Sequence, residues 1–384
     1  MKSEIVVTSK RSVYLDVIKG IAIILVVLAH SVQWGSGRDF QEQGLFFSDP
    51  LFKVIYGFHM PLFMVVSGYL FHGTLKRHSA SDVLRSRLRM LLLPIATWQT
   101  LYLAILLIAG EIVLSASLLY TYKGALWFLW SVLFCSVMVL VGHKWFRDSW
   151  LYYVVVGVAL LLVPGKWLDG LHVFMFPYFV GGYLWNASAG ERWYKGMCSC
   201  GAGMSHLLIA GVAIAIYIIL YYVYDTPDHS IYRNGTCLLG RESLWEQAAI
   251  DAARYVYGWA GVVAVMVIVW GWTQHDGRTR HVASLQGGVR QDGRTRHVAS
   301  LRGWVAQLLT YLGRNTLGIY IVNYFTVMLM PLAVTPWMAS LASRPLPHIV
   351  LALVETAIMI AVALAVVRLI RCCKTLRLLM LGEK

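Results

Sequence analysis

The stretch DVIKGIAIILVVLAH, Asp16–His30, decides how the whole 384-residue chain is read. It is apolar enough to cross a bilayer, yet it carries an acid, a base and an imidazole, each costly in hydrocarbon. Helical geometry resolves the conflict. Lys19 and His30 lie eleven positions apart, which at 100° per residue returns to within about 20° of one face and climbs about 16 Å. Asp16 and Lys19, at i and i+3, are neighbours on that face. The three polar groups therefore form one stripe, and Ile21, Ile24, Leu25 and Leu28 are left to meet lipid or packing partners. Such a stripe must face the protein interior or a water-filled cavity, because a charge at bilayer depth costs at least about 2.5–3.5 kcal/mol.

The rest of the chain agrees with a membrane setting. It is 58% hydrophobic and 14% charged, with a mean hydropathy of +0.63, too apolar for a soluble globular protein of this length. A span needs about 20 mainly apolar residues. That template predicts an all-α, polytopic integral membrane protein of about ten transmembrane helices, at roughly 13–33, 51–73, 88–110, 125–142, 149–164, 171–187, 205–224, 252–273, 310–333 and 348–370. With the N-terminus cytoplasmic, 23 of the 33 Lys and Arg fall in inner segments and ten of the 19 acids fall outside. The positive-inside rule then places both termini in the cytoplasm and turns the formal charge of +14 into a topology signal. Nucleic-acid binding has no support.

Residues 1–12 are expected as a cytoplasmic segment, 13–371 as one transmembrane domain, and 372–384 as a cytoplasmic tail. Lys19 interrupts the first apolar run and no small-x-small cleavage site follows at Ser31 to Trp34, so this span is not expected to be a cleaved signal peptide. Six cysteines, at 135, 198, 200, 237, 372 and 373, are scattered without zinc spacing, and only Cys237 falls in an outer loop. They imply no disulfide framework and no metal site. Two loops are long: an outer one over 225–251 and an inner one over 274–303. The inner loop contains DGRTRHVASL twice, at 276–285 and 292–301. This is either a tandem duplication in a tolerant loop or an Arg-rich surface for anionic lipid or a phosphorylated cosubstrate.

Further polar groups recur inside the apolar stretches. Asp16 and Lys19 fit a salt-bridged pair at the inner interface, and His30 fits either a wet interfacial histidine or a general base in a cavity. Span two, FHMPLFMVVSGYLF (58–71), sets Pro61 two residues after His59 and offers Ser67-Gly68 for close helix contact. His59 is either a satisfied core imidazole or part of a cavity that the proline opens. In ALWFLW (125–130), Trp127 and Trp130 serve as belt and packing residues or as a sugar platform. Span nine, YLGRNTLGIYIVNYF (311–325), places Thr316, Tyr320 and Asn323 on one face and Arg314 nearer the inner end. Arg314, and the run Arg85, Arg87, Arg89 before span three, are inner-surface anchors or phosphate clamps. Glu355, alone in span ten, is expected as an internal partner for a basic residue.

Taken in order, a basic residue and then His eleven positions later in the first helix, FHMPLFMVVSGYL, the basic run before LLLPIATW (91–98), ALWFLW, FPYFVGGYLW (176–185) and YLGRNTLGIYIVNYF resemble the membrane acyltransferase 3 family. The match runs from about Tyr14 to Arg371. The first two helices look most like the branch of fucose and enterobacterial common antigen O-acetylases. The resemblance implies a multi-pass bacterial inner-membrane enzyme that moves acyl groups, usually acetyl, from cytoplasmic acyl-CoA to a hydroxyl of a cell-surface or lipid-linked glycan. Acetyl-CoA is then a cosubstrate and no metal is involved. The family's functional pair falls on Lys19 and His30. Many relatives carry His three residues after the span-nine tyrosine, where this chain has Asn323. No esterase-like soluble domain is expected.

These readings assign His30, Lys19 and Asp16 to catalysis. His59, Ser67, Trp127, Trp130, Tyr320 and Asn323 are assigned to substrate, with Ser67, Tyr320 and Asn323 as donors to a developing oxyanion. Lys19, Arg85, Arg87, Arg89 and Arg314 are assigned to the phosphates of acyl-CoA. The outer loop 225–251 is expected to shape the glycan site. Buried ionisable groups in kinked helices also describe a proton-coupled transporter or a flippase of polysaccharide precursors, although the two halves show no visible repeat.

Overall fold

The computed structural model describes residues 13–108, 110, 126–165, 167–188, 202–239, 243–285, 293–327 and 345–383. All regular structure among them is helical. In chain order the elements are α1 (Val13–Gly35), α2 (Arg38–Glu42), α3 (Pro50–Tyr56), α4 (His59–Leu75), α5 (Ala80–Arg87), α6 (Leu93–Ile108), α7 (Trp127–Phe146) and α8 (Trp150–Leu161). They continue with α9 (Gly170–Ser188), α10 (Ala202–Val223), α11 (Leu244–Leu285), α12 (Gly293–Arg314), α13 (Thr316–Val327), α14 (Pro345–Cys372) and α15 (Lys374–Leu381).

Among the described residues, seven stretches are long and apolar enough to cross a membrane: Val13–Gly35, Pro50–Leu75, Ala80–Ile108, Trp127–Phe146, His206–Val223, Leu244–Thr273 and Pro347–Cys372. The other three expected spans are helical as well. Of these, α8 and α13 have 12 residues each, short of the roughly 20 a straight crossing needs. The third, α9, has 19 residues but dilutes its apolar run with His172, Pro177 and Asn186.

Helix α1 is the axis of the fold. It is buried along most of its length and carries Asp16, Lys19 and His30 on its one polar face, and α3, α4, α12, α13 and α14 pack around it. Only 2% of Asp16 is exposed. Beside α1, α4 and α9 form the most extensive contact in the molecule. A Cβ on Gly68 would collide with the Phe179 carbonyl, and one on Gly182 with the Val65 carbonyl. Only glycine lets these two backbones meet, which is how helices pack tightly without help from water. At the periphery, Leu207, Leu208, Ile219 and Val223 of α10 and Leu353, Val354 and Ile358 of α14 are exposed, as lipid-facing side chains are.

Two expected spans are broken helices. Span two divides at Gly57-Phe58 into α3 and α4. Asp49 caps α3, accepting from the Phe52 N–H at 2.9 Å, with Pro50 at its first position. Pro61 therefore does not kink a continuous helix. It sits in the first turn of α4, where a missing N–H costs nothing. Span nine divides at Asn315, between α12 and α13. Asn315 accepts from Arg371 at 2.6 Å, and Arg371 also forms a two-pronged pair with Glu383 at 2.6 and 3.0 Å. The last residues fold back as α15 against α6, with the Trp98 indole donating to the Met380 carbonyl at 2.9 Å.

The stretch expected as an inner loop over 274–303 is helical up to Leu285 and again from Gly293. The side chains of both DGRTRHVASL copies, residues 286–292, the segment 1–12, and Cys198 and Cys200 lie outside the described residues.

Candidate active site

The stripe on α1 meets two different environments. At the end expected to be cytoplasmic, here called inner, Asp16 pairs with Lys19 at 2.7 Å and with Arg314 at 3.3 Å. One buried carboxylate thus answers two cations, which is the compensation a buried charge requires. Arg314 remains half exposed and Lys19 is partly buried. Above this trio lies a cavity of about 260 Å³ lined by Lys19, Ser67, Arg87, Thr316 and Tyr320, with apolar walls that include Phe63 and Phe128. Arg87 also lies over the Phe71 ring, 4.9 Å from its centroid. The helix runs through a π-helical turn at Leu88–Leu92 just after Arg87, the kind of irregularity that gathers at functional sites. Of the basic run, Arg87 alone lines this cavity; Arg85 is exposed, and Arg89 sits partly buried within the π turn.

At the opposite end, here called outer, His30 opens onto a second cavity of about 310 Å³, with Gln33, Tyr56, Trp127, Tyr232 and Tyr324 in its wall. His30 Nδ1 lies 2.8 Å from Asn323 Oδ1. An oxygen acceptor at Nδ1 selects the tautomer with the proton there and leaves Nε2 with its lone pair. Asn323 is fully buried, and its Nδ2 has no partner among the described residues. One turn earlier, Tyr320 is buried against Phe128, with ring centroids 5.7 Å apart. His59, also buried, donates from Nδ1 to the Ile55 carbonyl at 2.8 Å, which in the neutral ring puts the lone pair on Nε2. The break between α3 and α4 places this imidazole within electrostatic reach of His30.

Several residues expected at one site are thus brought together. Lys19, Arg87, Ser67 and Tyr320 line the inner cavity, with Asp16 and Arg314 paired beside it, and His30 and Trp127 line the outer one, with Asn323 bonded to His30. Asn323, expected as an oxyanion donor, also holds His30. Trp130 faces neither cavity and packs against the core. Glu355 makes no ion pair among the described residues. It packs where a Gly35 side chain would be, with His348 in electrostatic reach.

The residues that sequence reasoning missed are mostly aromatic. Tyr56 sits at the end of α3, and Tyr232 comes from the outer loop. Tyr232 stands edge-on to Tyr56 at 4.9 Å and to Trp127 at 5.8 Å. Its loop is a built structure. Arg254, buried and paired with Asp251 at 2.8 Å, donates to the carbonyls of His229 at 2.6 Å and Gly235 at 3.3 Å. The Leu238 N–H donates to the Leu161 carbonyl at 2.9 Å. Beyond Tyr232 lies a smaller cavity of about 60 Å³ bordered by Lys53, Asp225 and His229. Burial pushes the Asp225 carboxyl up to about 6, against the opposing pull of Lys53 and the Tyr257 hydroxyl.

Comparison with known proteins adds the following. A family model described as an acyltransferase domain matches residues 12–371. The nodulation protein NolL of Sinorhizobium fredii (strain NBRC 101917 / NGR234) is 34% identical over 200 residues, covering 48% of this chain and 51% of the relative. NolL of Mesorhizobium japonicum is 31% identical over 198 residues, covering 50% and 51%. The chain spans about half the length of the curated relatives it matches. No solved structure matches.

Proposed function

The chain belongs to the membrane acyltransferase 3 family, and from that premise we propose that it is an inner-membrane O-acyltransferase moving acetyl from cytoplasmic acetyl-CoA to a hydroxyl of a cell-surface or lipid-linked glycan. The observation that carries this reading is the placement of His30, oriented by Asn323, on the same helix as the Lys19 cavity and facing a second cavity on the other side. Ten crossings, counting the short helices α8 and α13 and the less apolar α9, put both termini in the cytoplasm under the positive-inside rule. The Lys19 cavity then opens toward the cytoplasm. Its apolar walls suit the pantetheine arm of acetyl-CoA, and Lys19 and Arg87 suit the phosphates at its mouth.

In the reaction, the acceptor hydroxyl gives its proton to His30 Nε2 as its oxygen attacks the thioester carbonyl. The carbon–sulfur bond of the tetrahedral intermediate breaks, and the proton held by Nε2 passes to the departing CoA sulfur. Asn323 Nδ2 and the Tyr320 hydroxyl supply donors for the oxyanion, while Ser67, beside Lys19, lines the path of the acyl donor. An alternative order, in which the acetyl group rests briefly on His30 itself, uses the same nitrogen. Asp16 keeps Lys19 and Arg314 in place.

The test is CoA release from acetyl-CoA by purified protein in lipid nanodiscs. His30→Ala should lower kcat by about 10²–10⁴-fold, the usual worth of a general base. A folded His30→Ala protein that acylates at the original rate overturns the base assignment, and a wild-type protein that releases no CoA overturns the acyltransferase reading in favour of transport.

A further inference from the structure

We propose that residues 380–383, at and just past the end of α15, form a strap that holds together two lips of the inner cavity, with Glu383 as the positioning residue that keeps those lips set for the acyl donor. The donor's identity rests on the acyltransferase reading, and the strap itself on geometry.

One lip of the inner cavity is Arg87, Met90 and Leu91, at and within the π-helical turn. The other is Thr316 and Leu317, just past the break at Asn315. Both are irregular backbone, and a π turn or a helix end leaves groups without their usual partners inside the helix. Neither lip is therefore fixed by its own helix alone. No described residue of α15 lines the cavity, yet the strap touches both lips from behind. Gly382 ends α15 in the left-handed conformation, with φ at 65°. A Cβ there would collide with the Met90 Cα at 2.6 Å and the Arg89 carbonyl at 2.8 Å. Only glycine both adopts that φ freely and seats against the π turn.

On the other lip, Glu383 grips Arg371 with both carboxylate oxygens, and Arg371 Nη1 donates to Asn315 Oδ1 at 2.6 Å. Asn315 in turn donates from Nδ2 to the Tyr311 carbonyl at 2.8 Å, closing the last turn of α12. Leu381, 1% exposed, packs near Gly318 of α13. The Met380 carbonyl accepts from Trp98, whose ring stacks on Phe325 of α13 with centroids 5.2 Å apart. Four consecutive residues thus tie α6 and the π turn to α13 and the break before it.

The Arg371 and Glu383 side chains are each 34% exposed. Such a pair adds little to global stability, but its two-pronged geometry fixes direction. Its loss should loosen the lips locally and leave the fold standing. The sign of the effect is also diagnostic. Removal of an acid near a cationic mouth should, by charge alone, draw an anionic donor in more strongly, whereas a slack strap lets the Arg87 and Thr316 lips separate and weakens donor binding.

Hydrogen exchange read by mass spectrometry, on the full chain in nanodiscs, tests the strap beside acetyl-CoA kinetics. In Glu383→Gln, amide exchange should rise at both 88–92 and 315–319, and the acetyl-CoA KM should rise about three- to fivefold, the scale of one exposed pair, with kcat within about twofold. Glu383→Asp, which keeps the charge, should recover most of both effects. Exchange that rises only within 374–383, or an acetyl-CoA KM that is unchanged or lower, overturns the proposal. A wild-type protein that releases no CoA overturns the acyltransferase reading instead. The strap is then decided by exchange alone: it stands if both lips loosen in Glu383→Gln and falls if they do not.

Discussion

The cavity at Lys19 and the cavity at His30 share one helix and have similar size, about 260 and 310 Å³, but among the described lining residues Lys and Arg stand only at the first. Lys19 and Arg87 border the inner space, whereas the described lining of the outer one is mainly aromatic, with His30, Gln33 and Val327. The difference follows the chemistry proposed for each. Phosphates reward fixed cations, while a neutral hydroxyl needs a base whose lone pair is free and a surface that excludes water. The same comparison explains why Asp16 is buried beside Lys19 and not near His30. A carboxylate at the inner end positions two cations, and at the outer end it would favour a charged imidazole that is already protonated and cannot act as base.

The largest effect that would break this division is at Asn323. Asn323→Leu removes the acceptor at His30 Nδ1, and kcat should fall about 10²-fold, or roughly 2.7 kcal/mol, with both KM values nearly unchanged. Asn323→Ser should recover part of the rate. If Asn323→Leu raises the acetyl-CoA KM instead, the two cavities are not functionally separate. Next comes a paired test of the donor side. Lys19→Met should raise the acetyl-CoA KM about tenfold, near 1.4 kcal/mol, and leave the acceptor KM alone. Combining it with Asp16→Asn separates lost phosphate contact from a carboxylate left short of a partner. A raised acceptor KM in Lys19→Met would put the charge on the wrong substrate.

The smallest effect concerns the outer loop and pH. Asp225 titrates near 6 in the folded protein against an ordinary value of 3.8. The folded state therefore holds its proton more tightly, so this group's contribution to stability is complete below about 4 and is lost as pH rises toward 6. Asp225→Asn should flatten the pH dependence of amide exchange in the loop between those limits and slow exchange at pH 7, by a difference of about 2 kcal/mol or less. Unchanged exchange would show that the loop's hold on Tyr232 is independent of this carboxyl.

Much of this was legible beforehand, and the limits have physical causes. The 3.6-residue period and the cost of charge in lipid are local properties of one helix, so Asp16, Lys19 and His30 could be placed on a common face without any coordinates. The breaks at Gly57-Phe58 and Asn315 were not legible, because each is set by what packs beside it. Asn315 is held by Arg371, 56 positions away, and hydropathy averages over such a break. The proline at 61 pointed to the right neighbourhood for the wrong reason.

The sequence by itself determined that the chain is helical and membrane-like, which residues are too polar to face lipid, and which family pattern they follow, since hydropathy and spacing need no partner to be read. Tertiary structure alone decided that Asn323 orients His30 across 293 positions of chain, that Arg87 and not Arg85 turns inward, and that Tyr232 closes the outer cavity. Those outcomes depend on which helices approach closely enough to bring distant side chains within hydrogen-bonding or ring-contact range, a choice made by packing and by glycines such as Gly68 and Gly182.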